Sequence, residues 1–158
     1  MQGGNVLHSI KRNLANRTFV KIGSIIYSII MLLCYYAYII LEHYKMNKSE
    51  LWLSKSSLTQ NDLKSIEYLS GWTSKLEVLF IFLFITGFIV FRYIFPEKSK
   101  NLKIFLLLNV CLFIFILLIG YMFFSKSVPV GNIIQPTIFP SIILIFMFIY
   151  FLWTRKKS

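Results

Sequence analysis

From Ile22 to Leu41 the chain reads IGSIIYSIIMLLCYYAYIIL, an uncharged run that opens after Lys21 and is closed by Glu42. A helix crossing about 30 Å of hydrocarbon needs roughly 20 mostly apolar residues at about 1.5 Å each, and this run supplies them. Lipid offers backbone N–H and C=O groups no partner, so such a segment folds as a helix that bonds them internally. The run exceeds the 7 to 15 apolar residues of a signal-peptide core, and no small-x-small cleavage site follows it. It is expected to remain in the mature protein.

Three more runs repeat the pattern. Leu76 to Phe95 reads LEVLFIFLFITGFIVFRYIF, with Glu77 and Arg92 close enough to its ends to reach the interface. Ile104 to Phe124 reads IFLLLNVCLFIFILLIGYMFF, where Asn109 is the one strongly polar residue. Thr137 to Trp153, TIFPSIILIFMFIYFLW, is the shortest, and its start is open. Either a turn precedes a helix begun at proline, or the apolar residues before Pro136 extend it to Val128 with a kink. The runs are apolar all round, whereas barrel strands alternate over about ten positions. The expected fold is therefore an all-α integral membrane protein: one membrane domain over 1–158, with four transmembrane helices at about 22–41, 76–95, 104–124 and 137–153 forming a bundle, and an outer loop at 42–75.

Composition agrees. Of 158 residues, 57% are hydrophobic and 15% charged, well under the quarter that coats an average soluble domain. The net charge of +11 would suit a nucleic-acid binder until it is sorted by position. Four spans put the N-terminal arm, the connection between the second and third spans, and the tail on one side. These hold Lys11, Arg12, Arg17, Lys21, Arg92, Lys98, Lys100, Lys103, Arg155, Lys156 and Lys157, with Glu97 as the only acid. On the other side Lys45, Lys48, Lys55, Lys64, Lys75 and Lys126 face Glu42, Glu50, Asp62, Glu67 and Glu77 and nearly cancel. This is the positive-inside pattern, which predicts both termini cytoplasmic in a cell membrane and removes the reason to invoke nucleic acid. Tyr35, Tyr36, Tyr38, Tyr44 and Tyr121 fall at the outer ends of spans, and Tyr93, Tyr150 and Trp153 at the inner ends, as an aromatic belt would. The arm HSIKRNLANRTFVK has the spacing of an amphipathic helix lying on anionic lipid, but topology-setting charge is the preferred reading of it.

Within the outer loop, SSLTQNDLKSIEYLSGW predicts a short amphipathic helix, with Thr59 as N-cap, Asp62 closing a capping box and Gly71 at the C′ position. Leu63, Ile66, Leu69 and Trp72 would share one face, and Leu51, Trp52 and Leu53 form a second apolar patch. Both patches could rest on lipid headgroups or cap the bundle, or they could present anchors to a partner.

Small and amide residues are how membrane helices associate. Ser24, Ser28, Gly87, Asn109 and Gly120 are accordingly expected in helix packing, with Asn109 bonded across helices because an unpaired amide in lipid is costly. Cys34 and Cys111 sit about 18 Å and 10 Å from one face of the membrane, at different depths, and no C-x-x-C occurs. His8 and His43 fall on opposite sides. No metal ligand set, cofactor motif, nucleophile with its base, or Gly-rich phosphate loop is present. No ionisable residue sits at mid-membrane, where coupled transporters usually carry one. The function expected first is non-catalytic: binding a membrane-protein partner, as an accessory subunit or an immunity or protection protein. The alternatives are an oligomeric pore, export or holin-like protein built by self-association, and, third, a small membrane enzyme.

Overall fold

The computed structural model describes residues 3–54, 57–94 and 98–155, with side chains from Thr18 onward in most of that range. The protein is a bundle of four long helices: α1 Gly3–Leu53, α2 Gln60–Ile89, α3 Lys98–Phe124 and α4 Val130–Arg155, with a π-helical turn Val90–Ile94 extending α2. Each contains a stretch long and apolar enough to cross a membrane. The protein is thus a multi-pass integral membrane protein.

The first two helices are much longer than their spans. At 51 residues, α1 measures about 76 Å. The region between the first two spans is therefore mostly helix, not loop. α1 runs to Leu53 and α2 starts at Gln60, so the expected separate amphipathic helix is corrected: its residues are the first turns of α2. Thr59 does cap α2: its Oγ1 accepts from the Asp62 backbone N–H, and Asp62 reaches back to the Thr59 N–H at 3.0 Å. Gly71, expected at a C′ position, instead lies inside α2 with nothing within 4 Å of where a Cβ would stand. No proline or left-handed residue follows it, and Leu69, Thr73 and Phe80 keep one buried face running from the extension into the span. The 42–53 and 60–75 segments pair as a helical hairpin continuing α1 and α2. The α3–α4 turn bonds to it at His43, ten residues before the end of α1, so the hairpin extends about 15 Å past that contact.

The fourth helix also begins earlier than the 137–153 span. Pro129 accepts from the N–H groups of Asn132 and Ile133 at 2.9 and 3.2 Å, which starts the helix at Val130 and leaves Pro136 and Pro140 inside it.

The centre of the bundle is aromatic. Phe105 of α3 lies 5.5 Å from Phe84 and 5.4 Å from Phe91, and Phe80 stands 6.0 Å from Phe113 and 6.4 Å from Tyr35. Lipid tails are as apolar as these side chains, so burying them yields packing and dispersion energy and little hydrophobic gain. Close approach and polar pairs must supply the register. Phe91, carried inward by the π-turn, closes the core at the Lys103 end. The backbone of the N-terminal arm is helical from Gly3. Its side chains before Thr18, His8 included, and the Lys156–Ser158 tail lie outside the described residues.

Candidate functional site

Two glycines each receive a tyrosine from α1. A Cβ at Gly87 would overlap the Tyr27 ring, and one at Gly120 would overlap the Tyr35 hydroxyl. Seated there, Tyr27 Oη donates to Asn109 Oδ1 at 2.8 Å, and Asn109 Nδ2 donates to the Phe105 carbonyl at 2.9 Å. Asn109 is 0% exposed, so both halves of its amide are satisfied without water. Ser24 and Ser28 behave differently: their hydroxyls donate to the Val20 and Ser24 carbonyls of their own helix, at 2.8 and 2.9 Å, and do not join helices.

Toward the other end the polar contacts thicken, for a reason that starts with Pro136. Proline has no N–H, so the Asn132 carbonyl one turn earlier loses its helical donor. Tyr38 Oη donates to that carbonyl at 3.0 Å, and Tyr35 Oη to the neighbouring Ile133 carbonyl at 3.1 Å. Tyr35 and Tyr38 therefore face α4 and are buried. Reading them as interface belt residues is corrected; Tyr44, Tyr93, Tyr121, Tyr150 and Trp153 do remain exposed. One turn beyond Tyr38, Glu42 is 2% exposed. Its Oε2 accepts from Asn132 Nδ2 at 2.9 Å, and its Oε1 pairs with Lys45. The carboxylate also lies beside the first turn of α4, where the helix dipole favours negative charge. Glu77 of α2 accepts from Gln135 Nε2 at 2.9 Å. Thus α1 and α2 each place a carboxylate on an amide of α4.

His43 completes the cluster. Its Nδ1 lies 2.7 Å from Ser127 Oγ and its Nε2 3.1 Å from Asn47 Nδ2. A hydroxyl beside an imidazole invites a nucleophilic reading. Here both imidazole nitrogens are engaged, by Ser127 and Asn47, and Ser127 itself donates to the Phe124 carbonyl at 3.4 Å. As bonded, the group ties the α3–α4 turn to α1. Among the described residues no three His, Cys, Asp or Glu side chains converge as metal ligands. Cys34 is buried with its thiol 3.6 Å from the Leu76 carbonyl, and Cys111 is exposed.

The hairpin above this cluster divides the apolar residues of the outer segments. Trp52 and Leu69 are buried between its arms, and Ile66 is half-buried beside them. A cavity of about 350 Å³ lies there, lined by Lys45, Met46, Ser49, Trp52, Leu58 and Ile66 among others. Leu51 and Leu53 point outward, 65% and 85% exposed, and Leu63, Tyr68 and Trp72 are also exposed. Tyr68 stands 6.1 Å from Trp72 in an edge-on contact, and Lys75 lies 4.8 Å over the Trp72 ring.

No family model, curated protein or solved structure matches the chain. The functional reading rests on these residues. Sequence reasoning passed over Tyr27, Tyr35, Tyr38, Glu42 and Asn132 as bundle contacts. The available signals were the spacing of Tyr35, Tyr38 and Glu42 along one helical face and the Asn132 to Pro136 separation of one turn.

Proposed function

We propose that this is a non-catalytic, partner-binding protein of the cell membrane, with both termini cytoplasmic, acting as an accessory subunit or an immunity or protection protein. The observation that carries this reading is the projecting hairpin: a two-helix arm, anchored by buried Trp52 and Leu69, that holds Leu51, Leu53 and Leu63 exposed toward its tip, with exposed Tyr68 and Trp72 on α2 at its base. A rigid element presenting aromatic and aliphatic anchors suits recognition, since a few such residues carry most interface energy. The polar cluster supports it by fixing the base of the hairpin to α4. The charge sorting supports an orientation with the hairpin outside the cell.

Purification of the full chain in mild detergent, followed by mass identification, tests the proposal. A stoichiometric second protein is expected, and it should be lost from a Leu51→Ser, Leu53→Ser, Trp72→Ser triple variant that keeps the wild-type thermal transition. A clean monomer from native membranes, or a partner indifferent to the triple change, would remove the reading.

A further inference from the structure

On the lipid-facing side of the bundle α3 and α4 leave a groove of about 530 Å³. Leu106 and Leu144 are buried and form its floor, while the exposed Leu107, Val110, Ile145 and Phe148 form its walls. Along α3 the groove runs about 10 Å, from Val110 down to Lys103 at its mouth. Among the described lining residues the others are all aliphatic or aromatic, and Lys103 supplies the charge. A ligand matching this surface has an aliphatic tail and an anionic head.

We propose that this groove is a binding site for an anionic phospholipid, with one acyl chain lying between α3 and α4 and the phosphate at Lys103. Two arguments choose this occupant. A basic residue at the interfacial end of an interhelical groove attracts acidic headgroups, adding to the field of the other basic residues that the sequence places at this end. A second copy of the chain is disfavoured, because identical membrane proteins insert in the same orientation. It would bring its own basic end, eleven Lys and Arg against Glu97, onto Lys103. The site is independent of the hairpin and of which side of the membrane the termini occupy.

The probe is the full chain in nanodiscs of equal phosphatidylglycerol and phosphatidylcholine, transferred to mild detergent, with retained lipid counted by native mass spectrometry. The expected result is one retained lipid with about fivefold preference for phosphatidylglycerol, the advantage one basic residue confers at a membrane surface. Lys103→Gln should bring the preference to parity, Lys103→Arg should keep it, and Val110→Trp, which fills the groove, should abolish retention. Equal retention of the two lipids by the wild type, or a preference that survives Lys103→Gln, overturns the proposal. So does a dimer that Val110→Trp dissociates, which would give the groove to a second copy.

Discussion

The glycines make opposite predictions because their surroundings differ. Gly87 is where the Tyr27 ring sits, and overpacking a filled site costs about 1–3 kcal/mol. Gly87→Ala should therefore lower stability by about that amount in reversible unfolding from mixed micelles, and the penalty should shrink when Tyr27→Leu vacates the space. Gly71 stands inside α2 with open space around it. Gly71→Ala should raise stability by about 0.5–1 kcal/mol through reduced backbone freedom in the unfolded chain. A loss at Gly71 would mean the helix does not run through it. At Asn109 the polar pair is worth what interhelical hydrogen bonds in membranes give, about 0.6 and at most about 1.7 kcal/mol. A Tyr27→Phe, Asn109→Leu cycle should show coupling in that range, and additivity would place the two side chains apart. Asn109 was conspicuous in the sequence because it is the lone amide in an apolar run. Its partner was not, since Tyr27 in a membrane span reads as one more amphipathic ring until the three-dimensional depth of the helices is known.

At the scale of elements, the four spans were legible because lipid permits so few backbone solutions, and a long apolar run determines a helix regardless of its neighbours. Boundaries were less legible because packing decides them. Gly71 and Pro136 both carry local stop signals, and α2 and α4 run through both. In α2 the extension is held by Trp52 and Leu69 across the hairpin; in α4 the Asn132 carbonyl freed by Pro136 is answered by Tyr38. This exchange is testable. Tyr38→Phe leaves a buried carbonyl without a donor, at a cost of about 1–3 kcal/mol. With Pro136→Ala the new N–H can take that carbonyl, so the same Tyr38→Phe change should cost less. Equal costs in both backgrounds would show that Tyr38 does not serve the broken ladder. Glu42 is the other support of α4. Glu42→Ala deprives both the Asn132 amide and Lys45 of an acceptor and should cost about 1–3 kcal/mol. Glu42→Gln, whose side-chain carbonyl still accepts from Asn132, should cost less.

For the whole molecule, the question is which way the hairpin faces, because a docking arm works only on the side where its partner is. The polar cluster gives no answer: Glu42, Asn132 and His43 would pair equally well at either surface. The answer must come from charge. The Lys103 end gathers eleven basic residues and one acid in the sequence, while the hairpin end nearly balances. Translocating a positive charge outward against a membrane potential costs about 2.3 kcal/mol per 100 mV, which is why we propose that the basic end is the one retained inside. In a Cys34→Ala, Cys111→Ala background, Leu58→Cys at the hairpin tip should react with a membrane-impermeant maleimide on intact cells. Lys157→Cys should react only after permeabilisation. The reverse pattern would turn the hairpin into the cytoplasm, leave the bundle and its internal contacts unchanged, and move the search for a partner to the other compartment. The orientation and partner readings are thus separable: labelling fixes the side, and co-purification with the Leu51, Leu53 and Trp72 variant tests whether that side is used.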